Sequence, residues 1–302
     1  MLRRVVDKRK SSMTTKRIVY RLIFLGLTIF IIPILPIAII FLGISSPEYV
    51  IYGTLNMEIS QKYSPHDIYF KFLHRIMLFD FGTSTSSGQL VIKEIINALG
   101  ESAKSIIPAL FFSYGIGTSV GIFTVKSHIA ENLWLKLSFI FYIPMIVFSY
   151  IFLYVLDIFG IDFLSNIKYV FTSLILSIYP VYIVSKSFSK TISEIANSDF
   201  FVFHRSCGFN NKEIWKKFCK KFIFFDYLSF FENLVIYMFG FIFFVETPFG
   251  IHGIGHKFVF AIHRFDYPVI IGFCIFSIIL LSIIGILTEM IRLRLDPRTI
   301  NE

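Results

Sequence analysis

The feature that most constrains the fold is a series of apolar runs, each long enough to cross a bilayer. A helix needs about 20 mostly apolar residues to span the hydrocarbon core. The chain offers six such runs, at about 18–44, 103–125, 133–156, 167–185, 222–245 and 268–291. A mean hydropathy of +0.72 and 38 phenylalanines place the chain outside the usual composition of soluble domains. The sequence therefore predicts an all-α polytopic membrane protein with six transmembrane helices.

The distribution of basic residues predicts how these spans are oriented. Most of the 29 lysines and arginines lie before the first span, in the 186–221 loop and after the last span. Because cytoplasmic loops of membrane proteins are enriched in lysine and arginine, both termini are predicted to be cytoplasmic. The 18–44 span lacks a small-residue cleavage site after it, so we expect it to remain as an N-terminal anchor.

The segment FGIHGIGHKF at 249–258 has the glycine spacing of an ATP-binding P-loop without its chemistry. A P-loop needs lysine directly after the last glycine and then a hydroxyl residue for magnesium. Here His256 follows Gly255, and Phe258 follows Lys257. The predicted orientation also puts this segment outside, away from cytoplasmic ATP. No other catalytic motif occurs in the sequence, so we expect neither catalysis nor a bound cofactor.

The cytoplasmic loop 186–221 is predicted to fold into two short helices. Gly208 would separate them, and Asn210 or Asn211 would cap the second. An ordered loop of this kind suggests that a partner protein docks on it. A basic face resting on anionic lipid is the alternative, and the charge of the loop does not decide between them.

Polar side chains inside the fifth span could line a translocation path. Ser229, Asn233 and Tyr237 recur every four residues and therefore share one helix face. Asp226 belongs to the same stripe, but it lies near the cytoplasmic end and could reach water. Three histidines follow on the outer side: His252, His256 and His263. Their spacing matches no metal site, and we predict no bound metal.

Five residues of the cytoplasmic loop, Glu194, Asp199, Phe200, Arg205 and Gly208, follow the spacing E-x4-[DN]-[FY]-x4-R-x2-G. This pattern resembles the coupling loop of the inner-membrane permease subunits of ABC importers, specifically the peptide/nickel branch. The chain departs from the family next to the arginine, where His204 and Ser206 replace alanines and Cys207 replaces a lysine.

A second resemblance lies in the glycine segment. The same family shows G-x5-E-T-x-F-G-x-P-G-[IL]-G after its fifth span and then R-D-[YF]-P. The matching residues here are Gly240, Glu246, Thr247, Phe249, Gly250, Gly253, Ile254 and Gly255, followed by Asp266, Tyr267 and Pro268. His252 stands where proline is usual. FDFGTS at 79–84 is also similar to the family, and the likeness covers most of residues 79–298.

This resemblance implies the type I ABC importer permease fold, as a single transmembrane permease domain over 1–302 with its core at about 79–298. It implies an inner-membrane protein of a bacterium that works with a homologous second permease subunit, two ABC ATPase subunits and an extracytoplasmic solute-binding protein. The protein is expected to contact the lipid bilayer and is not expected to bind nucleic acid. The implied cargo is an oligopeptide or dipeptide, or alternatively nickel or a metal chelate.

The resemblance also implies two sets of site residues. Glu194, Asp199, Arg205 and Gly208 would couple the permease to the ATPase subunit. Glu246, Gly250, Gly253 and Gly255 would lie at the outer gate, facing the binding protein. Two functions of other classes stay open. A secondary transporter should show internal repeats that we do not find, and a non-transporting scaffold would leave the ordered glycine segment unexplained.

Overall fold

A computed structural model describes residues 80–127, 143–158 and 167–295, together with a few single positions before residue 80 and between 132 and 136. The predicted anchor span at 18–44 lies outside the described residues, apart from Ile23. The described part of the chain is almost entirely helical. Its only β pairing is an isolated bridge between Thr83 and Leu90.

The helices are numbered here in chain order. They are α1 Val91–Lys126, α2 Met145–Ile158, α3 Ile167–Ala196, α4 Asp199–Ser206, α5 Asn211–Ile214, α6 Lys220–Phe241, α7 Phe243–Glu246, α8 Ile254–His263 and α9 Tyr267–Leu295. A π-helical turn, Trp215–Cys219, connects α5 to α6.

Within the described residues, four helical stretches are long and apolar enough to cross a membrane. They are Val91–Lys126, Ile167–Ala196, Phe222–Phe241 and Tyr267–Arg292. The second, fourth, fifth and sixth predicted spans are thus confirmed as apolar helices, and α1 and α3 are longer than predicted. The third predicted span is described only from residue 143 apart from single positions, and its helix α2 has 14 residues. The described residues therefore account for four of the six predicted spans by length and composition.

The chain divides into two compact units. One comprises Met1–Ser102, His252–Leu293 and Pro297–Glu302, and the other Ala103–Ile251 with Arg294–Asp296. The core of the second unit is apolar and draws on α1, α2, α3, α6 and α7. Its buried residues are Ile106, Ala109, Met145, Ile175, Leu176, Met238, Ile242, Val245, Phe249 and Ile251.

Helices α1 and α3 approach closely in the second unit because α1 presents glycine at the contact. A Cβ atom at Gly117 would lie 2.8 Å from the Cβ of Val184, and one at Gly121 would lie 2.9 Å from the carbonyl oxygen of Ser185. Real Cβ atoms do not tolerate such distances. Small residues allow close backbone packing of membrane helices, and this pair uses them in that way.

Candidate functional site

The predicted coupling segment, residues 194–217, contains the capped helix α4. The side chain of Ser198 accepts a hydrogen bond from the backbone N–H of Phe201 at 3.3 Å, which satisfies one of the free donors at the start of α4. Asp199 occupies the first turn, where a negative charge is favoured by the helix dipole. Local sequence thus fixes the residue at which α4 begins.

Helix α4 ends in a Schellman motif centred on Gly208. Gly208 has φ +89°, in the region that favours glycine. Its N–H donates to the carbonyl oxygen of Arg205 at 3.0 Å, and the N–H of Phe209 donates to that of His204 at 3.3 Å. These two bonds define the motif. The predicted break at Gly208 is therefore confirmed, and its cause is a left-handed helix cap.

The second short helix begins at the predicted asparagine. Asn210 is the N-cap of α5, and its backbone N–H donates to the Glu213 carboxylate at 3.1 Å. Ile214 is fully buried in a small cluster with Phe201 and Cys219. This cluster packs α4 against the chain that leads into α6, so the coupling segment has a core of its own.

Three of the four predicted coupling residues carry charged side chains, and all three reach solvent. Asp199 and Arg205 are exposed, and exposed Glu194 pairs with Lys190 at 3.7 Å. Their neighbours Val202 and Phe203 were not predicted as site residues, yet their side chains are 60% and 63% exposed. The sequence did contain a signal for these two residues. Both are apolar, and a helix as short as α4 cannot bury all of its faces.

A polar contact joins the two long helices on either side of the coupling segment. The hydroxyl of Thr191 in α3 donates to the carboxylate of Asp226 in α6 at 3.0 Å. Nearby, the Tyr114 hydroxyl donates to the carbonyl oxygen of Tyr227 at 2.9 Å. Asp226 is thus half-buried and accepts a hydrogen bond from α3.

The glycine segment turns in the same way as the end of α4. Gly250 has φ +60°, and its N–H donates to the Thr247 carbonyl oxygen at 3.3 Å while Ile251 donates to Glu246 at 3.0 Å. Gly253 then forms the N-cap of α8. Of the residues predicted at the outer face, Gly250 is exposed, whereas Glu246, Gly253 and Gly255 are buried.

The three polar residues predicted to line a path differ in their surroundings. The Ser229 hydroxyl donates to the carbonyl oxygen of Phe225, and Asn233 is exposed. The Tyr237 ring lies between the rings of Tyr179 and Phe241, with centroid distances of 4.7 and 4.5 Å. These three rings line an apolar cleft of about 360 Å³ in the second unit. Only Tyr237 of the predicted stripe contributes to the cleft.

The three histidines predicted to lie on the outer side come together only in part. The rings of His252 and His256 lie 4.9 Å apart, and His263 is exposed. Burial, followed by the charges of His252 and Lys257, lowers the pKa of His256 below its usual value. Among the described residues, no group of three or more histidine, cysteine or acidic side chains could hold a metal ion.

Comparison with known proteins adds a family to this geometry. A family model described as "Binding-protein-dependent transport system inner membrane component" matches residues 113–301, which is more than half of the chain and includes the coupling and glycine segments. A search of curated proteins finds no match. With its apolar spanning helices, the chain therefore belongs to this family, the inner-membrane permeases of binding-protein-dependent ABC importers.

Proposed function

We propose that this permease pairs with a homologous subunit in an importer of oligopeptides or dipeptides, and that α4 and its flanks receive the force of the ATPase. In this proposal both termini are cytoplasmic, two ATPase subunits bind on that side, and a solute-binding protein docks outside. The observation that carries the proposal is the capped, separately packed helix α4 with its exposed apolar side chains.

The exposed face of α4 supports docking to a protein. Val202 and Phe203 leave more than half of their surface uncovered on a short helix that is held at both ends. Exposed apolar surface next to charged residues is typical of protein interaction sites. Arg205 and Asp199 would supply the polar rim. A helix resting on lipid headgroups would instead depend on Lys216 and Lys217, which are also exposed.

The connections of the coupling segment support a lever. Helix α3 leads into α4 after two residues, and α5 continues through the π-helical turn into α6. The hydrogen bond between Thr191 and Asp226 joins α3 to α6 near the ends at which these helices meet the coupling segment. A push on α4 by closing ATPase subunits would therefore move two spanning helices together, as rigid-body switching requires.

The polar stripe of α6 supports a second permease subunit. Asn233 exposes an amide within a helix that is apolar enough to span the membrane. Polar groups facing lipid at that depth are costly, so such side chains normally face protein or a water-filled path. We infer that the face of α6 carrying Ser229, Asn233 and Tyr237 is directed toward the partner subunit and the path between the two halves.

The choice of peptide as cargo rests on the resemblance to the peptide branch of the family. Nickel or a metal chelate is the second candidate, favoured by the pair of imidazoles at His252 and His256. Uptake of a radiolabelled dipeptide series and of nickel ions should be compared in cells with and without this chain. Loss of dipeptide uptake alone supports the proposal, whereas loss of nickel uptake alone transfers the assignment to metal.

A docking test separates the ATPase from lipid as the partner of α4. Phe203→Glu should lose the ATPase subunits from the complex purified in mild detergent, because it places a charge at the centre of the apolar contact. The combined variant Lys216→Ala with Lys217→Ala should retain them. Retention of the ATPase by Phe203→Glu would contradict docking through this face.

A further inference from the structure

A buried carboxylate joins two segments that are far apart in sequence. Asp266 lies between α8 and α9 and has no exposed surface. Its Oδ2 atom accepts hydrogen bonds from the Ser84 hydroxyl at 2.6 Å, the Ser86 hydroxyl at 2.9 Å and the Ser86 N–H at 3.1 Å. Its Oδ1 atom is buried without a hydrogen-bond partner in the described part of the chain. One oxygen atom thus accepts all three of these hydrogen bonds.

Two further contacts join the same segments. The carboxylate of Glu94, at the start of α1, lies 3.6 Å from the ammonium of Lys257 in α8 and also accepts a bond from the Ser87 hydroxyl. The N–H of Ile254 donates to the Ser102 hydroxyl at 2.7 Å. Helix α8 is therefore attached to residues 80–102 at Ile254 and Lys257 in its first turn, and through Asp266 just after its end.

The turn that precedes Asp266 holds a phenylalanine in a backbone conformation that this residue type does not favour. Phe265 has φ +55° and is the only non-glycine residue with positive φ in the described part of the chain. It closes a further Schellman motif, in which the N–H of Phe265 donates to the carbonyl oxygen of Ile262 at 3.2 Å and the N–H of Asp266 to that of Ala261 at 2.9 Å. Glycine usually fills this position, and a bulky residue keeps such a conformation only where its surroundings impose it.

We propose that Asp266 is a positioning residue that holds this strained turn, and with it α8, in the arrangement that the solute-binding protein recognises. The role of the binding protein rests on the proposed function. The positioning itself rests on the three hydrogen bonds to Oδ2, the burial of the side chain and the strain at Phe265.

The pattern of bonds distinguishes two substitutions. Asp266→Ala removes the acceptor and leaves the Ser84 and Ser86 donors without it. Asp266→Asn keeps an acceptor at the Oδ2 position and places its NH₂ group where Oδ1 now faces no donor. The asparagine variant should therefore hold the turn, and the alanine variant should release it.

The first experiment is hydrogen–deuterium exchange on the complete transporter complex, reconstituted in lipid nanodiscs. In Asp266→Ala, amide exchange in peptides covering 80–90 and 261–267 should rise about tenfold. In Asp266→Asn it should stay near that of the unaltered protein, and peptides over 194–217 should be unchanged in both. Should the alanine variant not assemble, Ser84→Ala should give a smaller rise in the same peptides. Unaltered exchange in the alanine variant, or in Ser84→Ala used in its place, would overturn the proposal.

The second experiment tests positioning through rescue. ATPase activity of the complex is measured as its co-purifying extracytoplasmic binding protein is titrated. Asp266→Ala should need about tenfold more binding protein for half-maximal stimulation, and adding Phe265→Gly should restore most of the loss because glycine tolerates the turn unaided. Failure of that rescue would overturn the positioning role. Absence of any stimulation in the unaltered complex would instead refute the proposed function, while the exchange experiment would still test the contact.

Discussion

Substitution of Gly208 offers the sharpest test of how the coupling segment works. A Cβ atom at this position would meet no atom within 4 Å, so an alanine there has no steric clash with other residues. The penalty comes from the backbone, since φ is +89°. An L-residue in the left-handed region costs about 1–2 kcal/mol. That penalty lowers the population of the bent segment by a factor of about 5–30.

Three substitutions at this position should reduce activity to different extents, in a fixed order. Gly208→Asn should retain the most activity, because asparagine tolerates the left-handed region best among non-glycine residues. Gly208→Ala should retain less. Gly208→Pro should abolish coupling, because proline fixes φ near −65° and removes the N–H that bonds to Arg205.

The assay is ATP hydrolysis by the purified complex and solute uptake by cells, both normalised to the amount of permease in the membrane. Gly115→Ala serves as the matched control, since Gly115 is a helical glycine with open space around its Cβ position. Membrane insertion should be equal for all variants. Normal uptake with Gly208→Pro would refute the role of this turn in coupling.

Three further predictions concern packing, docking and pH. Gly121→Ala should lower the melting temperature of the detergent-solubilised protein, because its Cβ would lie 2.9 Å from the Ser185 carbonyl oxygen. Overpacking of this kind costs about 1–3 kcal/mol. The control variant Gly115→Ala should leave the melting temperature unchanged. Phe203→Glu should abolish ATPase stimulation as well as ATPase retention, measured on the same preparation, and normal stimulation would contradict docking there. Burial lowers the pKa of His256, so the folded protein binds fewer protons at this site than the unfolded chain does. Stability should therefore fall as pH drops below about 6.5. His256→Gln should remove part of this loss, as measured by thermal unfolding at pH 5 to 8.

Local sequence signals were enough to predict where the helices of the coupling segment end and begin. A glycine and, one residue later, two asparagines indicate a helix end and a new helix start. The structure places a Schellman motif at Gly208 and an N-cap at Asn210. Both features depend on residues within one or two turns of chain. The apolar helices were predictable for a similar reason, since length and hydropathy are local properties.

Contacts between distant segments could not be predicted in the same way. Ser84 and Asp266 are separated by 182 residues, and nothing in either segment indicates that they meet. The positive φ of Phe265 is equally hidden, because phenylalanine has no preference for that region and tertiary contacts impose it. The burial of Glu246 also depends on packing that a one-dimensional pattern does not encode.

The central claim is that this chain works as the permease of an ATP-driven importer through its coupling segment. The most direct test is purification of the chain from its native membrane in mild detergent, with mass spectrometry of co-purifying proteins and a vanadate-sensitive ATPase assay. We predict recovery of a homologous permease, of ATPase subunits and of hydrolysis, and we expect ATPase binding and hydrolysis to require the segment 194–217. Recovery of this chain alone, without hydrolysis, would contradict the account and favour a membrane scaffold.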